Sequence, residues 1–383
     1  MEKCEILVIG GGPAGSTCAA RLGMAGLDVL LLDRAVFPRD KPCAGWITPL
    51  VLATLAIDPD EYRQGRTLQG ISGFQTGLMG GAGVQTSYGK TVSYGIRRSE
   101  FDQYLLQRSN VRQSLGEPVT TLQRQQGGWL VNGRIQARLL VGAGGHFCPV
   151  ARFLGAQINQ EDAITAMVGE FALSPEEEQR CPVRGETPAL YFCRDLLGYG
   201  WVFRKGGYLN LGLGRLDRQG IGKHLREFQE FLKGRGELPQ GLGAGFRGHA
   251  YLLSGGRNPR LRVADGALLI GDAAGLAHPQ SGEGILPAIE SAILAADTIV
   301  AAAGDYRRAG LGSYETGLGA RFGEGGRLSA AVTGRSRLVR YCGARLLRSR
   351  WFARHIVLDR WFLHADRQPL PPLPGQPGAN LPG

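Results

Sequence analysis

The first thirty-three residues leave the chain little choice of fold. Glu5 to Ile9 is a short apolar run, GGGPAG follows it, a helical stretch covers about Ala14 to Met24, and Leu27 to Leu32 is a second apolar run closed by Asp33. The order strand, glycine turn, helix, strand makes a β-α-β unit of about 30 residues, the unit that builds dinucleotide sites. Within it Gly10, Gly12 and Gly15 form GxGxxG. The first glycine makes the turn, the second lets backbone approach a pyrophosphate, and the third lets helix and sheet pack closely. The helix N-terminus offers free N–H groups and a partial positive charge to the phosphates. Asp33, eighteen residues past Gly15 and followed by Arg34, stands where a carboxylate can accept hydrogen bonds from a ribose. An acid there suits FAD or NAD and disfavours a 2′-phosphate.

The remainder reads as an interruption and a late completion of this unit. Strand signals run from Leu68 to Tyr94, a helix opens at Ser99-Glu100-Phe101-Asp102, and Trp129–Val131 and Ile135–Val141 form a hairpin about the Asn132-Gly133 turn. Strands dominate from Thr165 to Ala250, with one helix near Gly222–Gly234. Ala267–Ile270 then returns to a buried-strand pattern, and a helix follows from Ile285 to about Ala303. The expected fold class is α/β plus β: a Rossmann-like nucleotide-binding domain interrupted by a β-sheet domain, with a C-terminal helical region. The boundaries expected are 1–66, 95–155 and 260–320 for the first domain and 67–94 and 156–259 for the second. A basic amphipathic region covers 321–367, and a proline-rich extended tail covers 368–383.

Composition narrows the function classes. With 383 residues the chain is long enough for two or three domains. Its 60 glycines have no fixed period, which excludes collagen-like and repeat architectures and points to tight turns and close backbone approach to a ligand. Seven cysteines (4, 18, 43, 148, 181, 193 and 342) without a CxxC pair argue against a disulfide framework or a zinc ribbon. Six dispersed histidines give no ligand spacing, so no metal is expected. The N-terminal apolar run is too short for a signal peptide, and no run of 18 apolar residues occurs. The expected location is cytoplasmic, with peripheral contact at the inner membrane. That contact is suggested by residues 321–367, which hold eleven arginines against three acids together with Trp351, Phe352, Trp361 and Phe362. Such a region either lies on an anionic surface or packs its apolar side and solvates its arginines.

Three further stretches carry chemistry. In GDAAGLAHPQSGEGI, residues 271–285, Asp272 ends a strand where it can bond a sugar-like hydroxyl, and Gly282, Glu283 and Gly284 precede a long helix whose N-terminus stabilises negative charge on a ring system. In KPCAGW, residues 41–46, Cys43 is either a reactive group or a small hydrophobe. In GYGWVFRKGGYLNLGLG, residues 198–214, Tyr199, Trp201 and Phe203 share one face of a strand. They are either core or the wall of a binding cavity.

Taken together, GGGPAG, KPCAG, Arg98 followed by Phe101-Asp102, YxWxF with its later GxG, and GDAAG…PQSGEGI resemble the geranylgeranyl reductase family, within the flavoprotein hydroxylase-like group, over residues 4–305. The resemblance implies FAD as the held cofactor. Ala14, Asp33 and Arg98 would contact its ADP half or linker, Cys43, Ala44 and Gly45 would border the isoalloxazine, Asp272 would bind the ribityl chain, and Gly284 and Ile285 the pyrimidine edge. Tyr199, Trp201 and Phe203 would line an isoprenoid cavity. Three departures stand out: Arg204 where the family usually has Pro, Ala44-Gly45 after the cysteine, and Gly144 where related hydroxylases carry Asp. The implied activity is reduction of carbon–carbon double bonds in a polyprenyl lipid, with Cys43 as candidate proton-handling group and an external reductant such as NADPH or ferredoxin. The rivals are a flavin-dependent hydroxylase on the same fold and a membrane-docked electron-transfer flavoprotein; a halogenase is disfavoured by the lack of WxWxI.

Overall fold

The strand Glu2–Ile9 buries every side chain from Ile6 to Ile9, because it is the middle of a parallel sheet covered on both faces. Its neighbours are Val29–Asp33 on one side and Ile135–Gly142 on the other, both parallel, in a register that sets Ile6 beside Val29 and Leu139. Arg112–Leu115 extends the sheet beyond Val29–Asp33, and Ala267–Leu269 extends it beyond Ile135–Gly142, again in parallel. The expected hairpin forms between Gly128–Val131 and Ile135–Gly142, antiparallel. The expected late return of the chain is therefore real: the strand before residue 271 completes the sheet that residue 2 begins.

The computed structural model describes residues 1–158, 161–217, 220–239, 245–256, 259–323 and 343–370. The chain divides into two units, the first made of Met1–Asp40, Ser99–Asp162 and Tyr251–Ser329, the second of Lys41–Arg98, Ala163–Ala250 and Ala330–Gly383. In the first, helix Pro13–Met24 packs against helix Ile285–Ala301. Small residues (Ala14, Gly15, Ser16, Cys18, Ala19) make the buried side of the first of these, which lets it lie close to its neighbours. Arg21 and Asp297 tie the pair together at 2.5 and 3.0 Å.

In the second unit, seven strands form one sheet in the order Arg247–Tyr251, Ile164–Ala172, Tyr208–Arg215, Gly198–Lys205, Ala189–Phe192, Gly73–Leu78, Gly83–Ser87. The Ala189–Phe192 and Gly73–Leu78 pair is parallel, where the chain passes from one insertion to the other. One face carries Val202, Leu209, Leu211 and Leu213 into a core closed by Leu225, Phe228 and Leu232 of helix Ile221–Gly234. A smaller sheet pairs Trp46–Ile47 and Leu68–Ile71 with Ser93–Ile96. Residues 41–66 thus group with the β-rich unit, whereas the sequence boundaries put them with the nucleotide-binding part. Cys342 and the tail from 371 onward lie outside the described residues.

Candidate active site

The nucleotide cradle of the first unit follows from three glycines. Gly10 has φ +118°, and a Cβ there would lie 2.4 Å from the Ala143 carbonyl oxygen. A Cβ on Gly15 would lie 1.7 Å from the Gly10 carbonyl oxygen, so helix and turn touch backbone to backbone. Gly12, by contrast, has only an Arg39 side-chain nitrogen within reach of its Cβ, at 3.4 Å, and leaves its outer side open. It is the N-cap of helix Pro13–Met24, which has neither a side-chain cap nor an acid in its first turn. The helix end is thus free to receive an anion. Asp33 is almost fully buried and accepts from the Gly11 N–H at 2.6 Å and the Ala35 N–H at 2.8 Å. Each carboxylate oxygen keeps a second lone pair for a ribose hydroxyl. Arg34 beside it is exposed.

The second glycine-rich stretch meets the first in the same unit. A Cβ on Gly271 would touch Ala14 Cβ at 3.1 Å and Ala288 Cβ at 3.2 Å, which sets Gly271 between the starts of the two long helices. Asp272 lies in the 3₁₀ turn Gly271–Ala274, and its Oδ1 would be 3.0 Å from a Cβ on Gly284. Gly284 is the N-cap of helix Ile285–Ala301, again without a side-chain cap or a first-turn acid. Gly282 has φ +69° and turns the chain against the Tyr251 hydroxyl. Gly10, Gly12, Ala14, Gly15, Asp33, Asp272, Gly284 and Ile285 are therefore drawn together around two uncapped helix N-termini. This is the donor set a dinucleotide's phosphates and a negatively charged ring require, and the residues fit FAD on those grounds. At Gly144 a Cβ would meet Cys148 Cα at 3.2 Å and Pro149 Cδ at 3.3 Å, which leaves little room for the acid common in hydroxylases.

In the second unit, the aromatic strand Gly198–Lys205 presents Tyr199, Trp201 and Phe203 on one face, as their spacing requires. With Ala44, Trp46, Ile71, Pro188 and Leu190 the three rings line one apolar cavity of about 20 Å³, roughly the room for a single water. Arg204 points to the other face. It donates to the Glu178 carbonyl oxygen at 3.0 Å, pairs with the Glu178 carboxylate at 3.5 Å, and borders a separate polar cleft of about 500 Å³ with Glu186 and Arg184. The residue that departs from the family pattern is therefore no part of the aromatic cavity's rim.

The next residue on the aromatic face, Lys205, was not singled out by sequence. It is wholly buried, lies over the Phe203 ring at 5.3 Å, and forms an ion pair with Glu170. Its ammonium donates to the Ala44 carbonyl oxygen at 3.0 Å and the Ile96 carbonyl oxygen at 2.9 Å. Burial pulls its pKa below the usual lysine value, and the Glu170 carboxylate opposes that fall. Asn210, opposite Phe203 in the sheet, donates to the Cys43 carbonyl oxygen at 3.0 Å and to Glu170 at 3.2 Å, and accepts from the Trp201 indole N–H at 2.8 Å. Arg97 adds a contact to Glu170 at 3.4 Å and lies over the Tyr208 ring at 3.7 Å. Cys43 is half-buried, and its sulfur accepts from the Gly45 N–H at 3.4 Å. Gly45 has φ +65°, with the Ile96 carbonyl oxygen 2.2 Å and the Lys205 ammonium 2.7 Å from where a Cβ would be. Arg98 is buried at the start of helix Arg98–Arg108. Lys205 had one sequence signal, the continuation of the period of two beyond Phe203. Asn210 and Glu170 had none that does not need the strand pairing.

Comparison with known proteins agrees with this geometry. Residues 8–38 match the model of an NAD(P)-binding Rossmann-like domain. A menaquinone reductase of Mycobacterium tuberculosis is 29% identical over 334 residues, covering 78% of this chain and 77% of that protein. A digeranylgeranylglycerophospholipid reductase of Methanothermobacter thermautotrophicus is 29% identical over 340 residues, covering 82% of each. Among solved structures, a geranylgeranyl bacteriochlorophyll reductase-like protein of Thermoplasma acidophilum superposes with a TM-score of 0.75 at 21% identity over 91% of each chain. Flavin-dependent monooxygenases and halogenases share the fold as well. Fold and site together define an FAD-dependent oxidoreductase. Within that class its similarity runs to the geranylgeranyl reductases, as the motifs implied.

Proposed function

We propose that this chain reduces carbon–carbon double bonds of an isoprenoid lipid. The observation that carries the reading is the aromatic wall, Tyr199, Trp201 and Phe203, lining one apolar cavity with Ala44 of the Cys43 loop. Bound and reduced, FAD would supply the hydride equivalent that an alkene needs. The protein's own part is to hold an unpolarised double bond still in a dry site, where orientation does much of the work. The indole and the two phenyl-type rings would keep that site apolar, and the Cys43 thiol, on the loop that gives Ala44 to the lining, is the group we assign to protonate the second alkene carbon. The helix starting at Ile285 and the one starting at Pro13 would hold the charged parts of the cofactor. Access from a bilayer fits the exposed side chains of 345–354, where Arg345, Arg348, Arg350 and Arg354 alternate with Leu346 and Trp351.

The test is anaerobic. Reduced holoenzyme incubated with a geranylgeranylated lipid should return a product enriched by two hydrogens per bond reduced. A product that gains an oxygen atom, and forms only with O2 present, would replace this reading with the hydroxylase one.

A further inference from the structure

Two side chains of the second unit reach one short loop, and a third joins them. Lys205 holds the carbonyl oxygens of Ala44 and Ile96, Asn210 holds that of Cys43, and Glu170 joins the two by accepting from both. The frame is built from three adjacent strands, Ile164–Ala172, Tyr208–Arg215 and Gly198–Lys205, with Glu170 opposite Asn210 and Asn210 opposite Phe203 in the pairing. Asn210 also takes the indole N–H of Trp201, so the cavity wall and the cysteine loop are fastened to the same side chain.

A buried ammonium is costly, and a sheet that needed only packing would place a leucine at 205. Lys205 instead spends its N–H donors on two backbone carbonyls that belong to different segments, Lys41–Trp46 and the end of strand Ser93–Ile96. One charge-assisted bond to the loop at Ala44, beside Gly45, and one to Ile96 at the end of the neighbouring strand tie the loop to that strand more firmly than neutral contacts would. The ordering of the loop in turn fixes where the Cys43 thiol stands.

We infer that Lys205, with Asn210 and Glu170, is a positioning frame that sets the Cys43–Gly45 loop and the Trp201 ring in one fixed relation for catalysis. None of the three is a catalytic residue; each acts through the loop or the ring. The inference rests on the reductase reading for its effect on turnover, but not for its effect on the loop itself.

The test therefore reads both. Lys205→Met in the full-length, FAD-loaded protein removes the donors and keeps the length of the side chain. Alkylation by iodoacetamide, followed at the Cys43 peptide by mass spectrometry, should become about fivefold faster as the loop loosens. Cys181, half-buried elsewhere in the unit, should keep its rate and serves as the internal reference. Flavin content should stay near that of the parent, while turnover per bound flavin falls roughly ten- to a hundredfold with KM little changed. Asn210→Leu, a smaller perturbation, should shift the same two readouts in the same direction, and it decides the matter if Lys205→Met does not fold. Unchanged Cys43 alkylation in a folded variant would overturn the frame. Faster alkylation in a protein that never reduces a prenyl alkene would keep the frame and overturn the reductase reading instead.

Discussion

Gly212 answers why an aromatic strand is followed by glycines. It pairs directly with Trp201 across the sheet, and a Cβ there would lie 2.3 Å from the indole. The ring lies flat over the neighbouring strand only because position 212 has no side chain. Gly95 does the same for Phe203 and Lys205, at 2.9 and 2.8 Å. Gly212→Ala should push Trp201 out of its seat and cost about 1–3 kcal/mol, read from urea denaturation, as overpacking does. Trp201→Ala makes the opposite test. If the ring is cavity wall, turnover per bound flavin should collapse while flavin content stays near that of the parent. Equal loss of the two would return the ring to plain packing.

At the scale of elements, the described part of the basic C-terminal region behaves differently from a solvated appendage. The π-helical segment Ala353–Phe362 buries Ala353, Val357, Leu358 and Phe362 and leaves Arg354 and Arg360 outside. Phe362 stacks on Trp46 at 5.3 Å and meets the Tyr199 ring edge-on at 5.4 Å, both rings of the cavity lining. Tyr88 fixes the segment by donating to Asp359 at 2.6 Å. A cavity of about 20 Å³ is far below the roughly 300–1,000 Å³ of ordinary ligand sites, so under the proposed function an entering prenyl chain would have to displace something. Phe362 is the ring standing on two of the lining residues. Phe362→Leu should shift the preference in kcat/KM toward longer chains, measured with mixed prenyl lengths in competition, at a stability cost of about 1 kcal/mol. The sequence could not announce this contact, because Phe362, Trp46 and Tyr199 come from three distant segments. The same reason hid Glu170 and Asn210. What was legible was local: the β-α-β unit, the period of two in 199–203, and the glycines before the helices at 13 and 285. Residues 41–66 group by contact with the β-rich unit, where Trp46 pairs with Gly95, a pairing that the order of elements along the chain does not reveal.

The whole molecule carries a charge of +11, and much of the excess falls in its last sixty residues. Among the described residues, no helix is long and apolar enough to cross a membrane. Exposure in 345–354 has the composition of an interfacial anchor: Trp351 is 64% exposed and Leu346 48%, flanked by four exposed arginines. A water-facing structural role would favour polar side chains at 346 and 351. An anionic leaflet offers something for both kinds of group, an apolar boundary for the ring and the leucine and phosphates for the guanidiniums, each worth about 1 kcal/mol near the surface. The protein should therefore sediment with vesicles containing phosphatidylglycerol and not with pure phosphatidylcholine, and should be released as salt shortens the Debye length. Replacing Trp351 and Leu346 with serine should weaken binding at low salt without abolishing its charge dependence. Replacing the four arginines with glutamine should abolish the difference between the two lipids. If both variants bind as the parent does, the arginines of this segment are only a solvated face, and the proposed lipid substrate would have to reach the protein without help from this surface.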